Sequence, residues 1–477
     1  CLEYLKGMFA FAIWDQQRQS LFLARDRMGV KPLYYYQKGT TFLFASEIRA
    51  LLASGMIPRK INRGTLPEYF YFQSFQFPHT LVEGIQELSA GCSMEVTDQH
   101  ARVQSYWQLP TTISLEDAED DQFIQKKVKE LFFASVQRRM VADVPVAAFL
   151  SGGIDSAALV AAMAQLGHRP ETFTISFEEK EYDESSHAAL VAQKYNTRHH
   201  TLLIRSSDLW EQLPEALDAM DSPSGDGINT YIISKAVSGQ GIKVALSGVG
   251  GDELFAGYPI FNYWRRIHQW IPVWSYIGWM RKQLANWLPH HTLQQQRRAA
   301  LLRLPELTIA SVYPLLRQVN TPEVLDSILV AYSKKEKAEV WKALANTDVS
   351  GLPVLSQLSY AEYLGYTRQT LLKDMDQMSM ACSLELREPY FDHELVEGVL
   401  QIPDSYKIGR SPKPLFVKVL GDLLPAPLYS LPKRGFVLPA EKWFRQELRS
   451  FCTSVNLIGT SCGKRDNFES TDRAGVN

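Results

Sequence analysis

At 477 residues the chain is long enough for two or more domains. A net charge of −2, with 45% hydrophobic and 21% charged residues, is an ordinary globular composition and leaves no basic footprint for nucleic acid. Five cysteines, at positions 1, 92, 382, 452 and 462, show neither paired metal-ligand spacing nor the density of a disulfide scaffold, which makes a reducing cytoplasm the expected compartment. No apolar run approaches the ~20 residues of a membrane helix. The nearest, Trp270 to Trp279, is broken by Pro272 and reads as a packed helix or lid, so no membrane partner is expected.

In chain order, Cys1 to Gly7 has apolar residues at helical spacing before a glycine, the pattern of a helix end. Residues 8 to 46 read as antiparallel β, with Met8–Trp14 and Leu21–Ala24 around one polar turn and Leu33–Tyr36 and Thr41–Phe44 around Lys38-Gly39. From about 122 the pattern alternates: helix Phe123–Met140, strand Val146–Leu150, helix 157–166, strand Thr172–Phe177, helix Glu184–Tyr195, strand His200–Ile204, helices 208–220 and 228–238, then strand Lys243–Leu246. Strands separated by helices predict an α/β, doubly wound parallel sheet, which binds ligands at the carboxyl ends of its strands. Residues 260–400 read as helical. The tail 452–477 lacks periodicity and reads as disordered.

The strand Val146–Leu150 breaks into Ser151-Gly152-Gly153-Ile154-Asp155-Ser156 and then opens a helix. Such a turn offers free backbone N–H groups and a positive helix terminus to an anion, with phosphate the natural occupant. A Walker A loop would carry a lysine after its last glycine, and Asp155 follows here instead. A carboxylate beside phosphates suits Mg²⁺, which takes one or two carboxylates together with phosphate oxygens. SGG(I/L)DS is the pyrophosphate-loop pattern of ATP pyrophosphatases, which cleave ATP between its α and β phosphates. A second strand end, Ser247-Gly248-Val249-Gly250-Gly251-Asp252-Glu253, repeats the design with small residues and two acids opening a helix. Asp252 is placed to share Mg²⁺ with Asp155. The adjacent His199 and His200 point to opposite faces of a strand and read as structural.

SGGIDS, SGVGGDELFAGY (247–258), MSMACSLELREPYFDHELVE (378–397) and LPKRGF (431–436) resemble, in this order, the synthetase domain of glutamine-dependent asparagine synthetases. GMFAFAIWD (7–15), LFLARDRMGVKPLYYY (21–36) and FASEIRALL (44–52) resemble the second half of that family's N-terminal-nucleophile, antiparallel β glutaminase domain. The resemblance implies a partial amidotransferase domain over 1–110 and an ATP-pyrophosphatase domain over 121–450. It implies ATP and Mg²⁺ as cofactors, aspartate and glutamine or ammonia as substrates, and a homodimer. The implied product is asparagine, formed through an acyl-adenylate with release of AMP and pyrophosphate. By the same resemblance, Ser151, Gly152, Gly153, Ile154, Asp155 and Ser156 hold pyrophosphate, Ser247 and Gly248 contact AMP, and Phe149 and Ile175 line the nucleotide pocket. Asp155 and Asp252 would hold the metal and Lys433 would contact the α-phosphate. Glu385 would have a catalytic place, with Arg387 and Glu253 bordering the amino-acid substrate.

Two departures alter these expectations. The family commonly has glutamate where Val249 stands, a carboxylate tied to forming aspartyl-adenylate and using ammonia, and relatives with other acceptors vary there. A sugar acid, a peptide or a cyclising substrate is therefore the alternative acceptor, and a catalytically inactive remnant the alternative to an enzyme. Cys1 is not followed by the family's glycine, so the nucleophile and the upstream half of the glutaminase are expected to lie outside this sequence. The remaining β-structure should then expose edge strands and apolar faces.

Overall fold

The computed structural model describes residues 1–113, 120–289, 292–320, 322–328, 347–409, 411–430, 438–439 and 442–443. Seven short strands come first: β1 (Ala10–Asp15), β2 (Ser20–Arg25), β3 (Tyr34–Lys38), β4 (Thr41–Ala45), β5 (Ile85–Glu87), β6 (Cys92–Val96) and β7 (Ala101–Ser105). They form two antiparallel sheets, ordered β1-β2-β6-β7 and β4-β3-β5. Leu23, Leu33, Leu88 and Met94 fill the core of the first, and Tyr34, Tyr36, Ile48, Leu51 and Ile85 that of the second. On the edge strand β1, Ile13 and Trp14 are more than half exposed. Cys1 to Tyr4 forms a single turn closed by the Tyr4 amide on the Cys1 carbonyl, and not the helix end its apolar spacing predicts.

The second region is built on five parallel strands, β8 (Val146–Phe149), β9 (Glu171–Ser176), β10 (Arg198–Leu203), β11 (Val244–Leu246) and β12 (Glu385–Arg387), in the order β10-β9-β8-β11-β12. The chain leaves β8 toward β9 and β10 on one side and returns to β11 and β12 on the other. Neighbouring β8 and β11 therefore send their connections in opposite directions. A crevice at their carboxyl ends is the geometric result, the place where open α/β sheets bind ligands.

What holds β8 in place is the helix Ile154–Gln165, whose Ala157, Ala158, Leu159, Val160, Ala161, Ala162 and Met163 are all fully buried. A helix apolar on every side belongs inside a domain, and its alanines let neighbouring elements approach closely. Burying Leu159, Val160 and Met163 contributes about 1.5–3 kcal/mol each. The long helix Asp121–Arg139 packs beside it through Ile124, Val128, Phe132 and Val136. Its last turn supplies Arg138 and Arg139 to the buried Asp392, at 2.6 and 3.2 Å.

The two regions are joined by ion pairs and hydrogen bonds. Glu87 of β5 binds Arg25 at 2.6 Å and Lys373 at 2.8 Å, Lys31 reaches Asp376 at 2.8 Å, and Asp221 accepts from the Ile48 and Arg49 amides. In the helical region, Trp274 is buried, with Arg281 stacked on its ring and its indole N–H donated to the Leu304 carbonyl. Trp270, Tyr276 and Trp279 are instead 56%, 87% and 74% exposed, so the aromatic stretch is packed only in part. Among the described residues no helix is long and apolar enough to cross a membrane.

Candidate active site

Each strand at the crevice ends in glycine for a steric reason. Gly152 has φ +79°, and a Cβ there would lie 2.9 Å from His187 Cβ and 3.0 Å from the Glu184 carbonyl. The turn is tied by side chains: the Ser151 amide donates to Ser156 Oγ at 3.1 Å, and that hydroxyl donates to the Gly153 carbonyl at 3.2 Å. Ser156 thus holds the loop open around the start of its own helix, where N–H groups face outward.

The second loop closes against the first. Gly250 has φ +99°, with Phe391 and Tyr390 within 3 Å of any added Cβ. A Cβ on Gly248 would lie 3.0 Å from the Ser156 amide, and one on Gly251 would lie 2.4 Å from Asp155 Oδ1. Glycine at 248 and 251 is what lets the two strand ends touch. Tyr390 then donates its hydroxyl to the Asp155 carbonyl at 2.9 Å, pinning both loops to the REPYFDH segment.

Asp155 and Asp252 meet at a cation supplied by the chain itself. Lys413 Nζ binds Asp155 Oδ2 and lies 2.7 Å from Asp252 Oδ1, with Lys413 only 4% exposed. Burial works to lower the pKa of this ammonium, but the two carboxylates outweigh it and the net shift is upward. The lysine is what makes two adjacent carboxylates tolerable here, since removing it would leave both uncompensated.

A cavity of about 420 Å³ opens over this set. Phe149, Ile175, Ser151 to Ser156, Ser247, Gly248 and Asp252 all line it, as does Val249, which stands without charge at the second loop. Its far wall is acidic. Asp226 accepts from Asn229 Nδ2 at 3.0 Å and from the Tyr366 hydroxyl at 3.4 Å. Asp374, 2% exposed, accepts from Ser224 Oγ and from Gln377 Nε2 at 2.9 Å. Burial pushes the Asp374 carboxyl up to about 7, and Asp226 adds to the shift by like charge.

Three residues implied by the resemblance lie apart from the cavity lining. Glu385 and Arg387 pair with each other at 3.0 Å across the edge strand β12, and Arg387 donates to the Arg139 and Val141 carbonyls. Glu385 borders a different cavity, between the two regions, with Arg25, Lys31 and Lys373. The reason is the pleat: Glu385 and Arg387 flank the buried Leu386, which points into the core between them. Glu253 faces the protein interior, where Tyr258 donates to its Oε1 at 3.0 Å, and burial, with Asp252 and Glu362, pushes its pKa up to about 7. Lys433, the LPKRGF segment and the tail 452–477 lie outside the described residues. His199 bonds through Nδ1 to Thr172, whereas His200 stacks on Phe173 and lies 2.7 Å from Glu171, so the two do not meet at one site.

Lys413 escaped the motif reading because it sits in an unremarkable basic loop. The available signal was Pro412-Lys413-Pro414, a lysine between prolines at the start of an apolar helix. Lys413 is held at φ +52°, ψ 58°. A residue before proline is expected to be extended, so a left-handed conformation there stores strain of the sort found at functional sites.

A profile of the asparagine synthase family matches residues 127–456, and one of the glutamine amidotransferase domain matches residues 1–107. Glutamine-hydrolyzing asparagine synthetase 3 of Bacillus subtilis is 30% identical over 444 residues, covering 89% of this chain and 66% of the relative. Glutamine-hydrolyzing asparagine synthetase 1 of the same organism is 27% identical over 455 residues, covering 94% and 71%. Amidase chyE of Penicillium rubens is 26% identical over 516 residues, covering 96% and 74%. The chain thus spans about two thirds to three quarters of the length of these relatives. With two glycine-rich strand ends at the switch point of a parallel sheet and these matches along its length, the chain belongs to the asparagine synthase family, ATP-dependent carbon–nitrogen ligases joined to an amidotransferase domain.

Proposed function

We propose that this chain converts a carboxylate into an amide through an acyl-adenylate, using ATP, with nitrogen from ammonia or, in a protein holding a complete glutaminase, from glutamine. The observation that carries this reading is the convergence of Asp155, Asp252 and Lys413 where the two glycine-rich strand ends meet at one cavity. A carboxylate resists ammonia because its leaving group would be oxide. Adenylation removes that obstacle: the carboxylate oxygen bonds to the α-phosphorus, the bond from that phosphorus to the bridging oxygen breaks, and pyrophosphate departs. Ammonia then forms the C–N bond, the C–O bond to AMP breaks with its electron pair, and the ammonium nitrogen sheds protons.

The loop amides of Gly152 to Ser156 are placed to hold pyrophosphate, and Lys413 supplies positive charge beside it. Asp155 and Asp252 fit a divalent cation because they already converge on one positive group. Mg²⁺ held there would neutralise charge on the departing pyrophosphate. Phe149 and Ile175 give the nucleotide base an apolar seat.

Aspartate is the acceptor that the family resemblance implies, and asparagine would be its product. The uncharged Val249 and the acidic far wall favour another carboxylate. The test is production of AMP and pyrophosphate by the 477-residue chain from Mg-ATP, ammonium and a panel of carboxylates. Lys433→Ala should slow that reaction by roughly 10²-fold if Lys433 stabilises the α-phosphate. ADP and phosphate in place of AMP and pyrophosphate, or an unchanged rate in that variant, would refute the respective assignment.

A further inference from the structure

The far wall of the cavity bears on which carboxylate is used. Asp226 stands at the start of the helix Gly227–Ser238 and Asp374 in the first turn of the helix Lys373–Ala381. A carboxylate near a helix N-terminus is favourable, but that role is normally filled at the surface. Asp374 is 2% exposed and shares its cavity with Asp226 and the pyrophosphate loops. Two acids in one low-dielectric wall repel unless a cation or a proton lies between them.

Among the described residues, the positive charges nearest this wall are already committed. Lys413 is bound by Asp155 and Asp252, Arg317 is held by Glu362 through bonds of 2.8 and 2.6 Å, and Lys373 pairs with Glu87 at 2.8 Å. Arg317 is also covered by the Tyr366 ring, 4.1 Å from its guanidinium carbon. The donors that reach Asp226 and Asp374 are neutral: Asn229, Tyr366, Ser224 and Gln377. They fix the carboxylates in place without neutralising them.

Resting on the adenylation reading above, we propose that the acceptor is an amino-carboxylate. Its reacting carboxylate lies at the pyrophosphate loops, its ammonium is held by Asp226 and Asp374, and it carries no second carboxylate. Aspartate supplies an ammonium but also an α-carboxylate, which would face this wall with no described cation to receive it. β-Alanine has the same reacting carboxylate and ammonium without the α-carboxylate, and longer ω-amino acids extend the separation.

The experiment is calorimetric binding of acceptors to the 477-residue chain in the presence of Mg²⁺ and α,β-methylene-ATP, which cannot release pyrophosphate. The series comprises β-alanine, 4-aminobutyrate, 5-aminopentanoate and 6-aminohexanoate, each beside the monocarboxylate of equal length, with aspartate and succinate as dicarboxylates. At least one ω-amino acid should bind tenfold or more tightly than its matched monocarboxylate and than either dicarboxylate. Asp374→Asn and Asp226→Asn should each bring that pair of affinities within about twofold. Equal affinities throughout, or tighter binding of aspartate or succinate, would overturn the acceptor assignment while leaving adenylation standing. Tight binding of an ω-amino acid without AMP formation from ATP would instead refute the adenylation reading.

Discussion

The antiparallel and parallel regions of this molecule treat a buried aspartate in opposite ways. Asp26, in the N-terminal region, accepts from the backbone amides of Phe9, Met28, Gly29, Val30 and Lys31 at 2.8–3.3 Å, and its side chain becomes part of the turn after β2. Asp155 and Asp252, at the switch point of the parallel sheet, are held by the ammonium of Lys413, delivered from 160 or more residues away. A carboxylate satisfied by amides cannot be released without unfolding its loop. One satisfied by a lysine side chain can exchange that partner for a metal ion, because the ammonium can swing while the backbone stays. The same residue type is structure in one region and chemistry in the other.

The sharpest way to break this contrast is at Asp252. Asp252→Ala should abolish formation of AMP and pyrophosphate, a loss of 10³-fold or more, corresponding to about 4 kcal/mol or more in the barrier. Its melting temperature should change little, since Lys413 retains Asp155; normal turnover would dismiss the two-acid site. Next in size is Lys413→Met, which strands two acids in a buried crevice and should cost on the order of 3–5 kcal/mol of stability. Mg²⁺ should raise the unfolding temperature of this variant more than that of the parent. Equal shifts would mean that lysine and metal do not compete for one place.

On the structural side, Asp26→Asn should lower stability by about 1–3 kcal/mol in denaturant titration, since a neutral amide leaves at least some of the amides less well satisfied. Its rate of ammonia-dependent pyrophosphate release, measured where the chain is folded, should match the parent. A drop in that rate with unchanged stability would move Asp26 from structure to function.

At Glu253 the expected effect depends on pH. Its folded pKa is raised from 4.5 to about 7, so between these values the folded chain binds the proton that the unfolded chain has lost. Stability contributed by this group is present below about pH 4.5 and is lost as pH rises to about 7. Glu253→Gln keeps an acceptor for the Tyr258 hydroxyl and removes the titration. The variant should gain on the order of 2–3 kcal/mol relative to the parent between pH 5 and pH 8. Identical slopes in the two proteins would show that Glu253 titrates normally.

Much of the parallel region was legible before any coordinates. β8, β9 and β11 were marked by short, largely buried apolar runs, and the helices between the strands by their periodicity. β12 was not legible: Glu385-Leu386-Arg387 carries two charges in three residues, and it is a strand only because β11 offers it a hydrogen-bonding edge. β5, β6 and β7 were likewise recognised only as general β-structure, since their pairing depends on partners far along the chain. At the site, glycine-rich strand ends announce themselves through local sterics, whereas Lys413, Asp226 and Asp374 look like any charged residues on helix ends.

What the sequence determined by itself was the chemistry of the two loops: glycine where a side chain would collide, serine to tie the turn, and an acid at each helix start. The tertiary structure alone decided that the two acids share one lysine, that Glu385 and Arg387 serve an edge strand, and that Asp226 and Asp374 line the same cavity as the two loops. Local sterics act between neighbours in the chain and are written in consecutive residues. The charge of a cavity is a sum over side chains brought together by folding, and no stretch of sequence contains it.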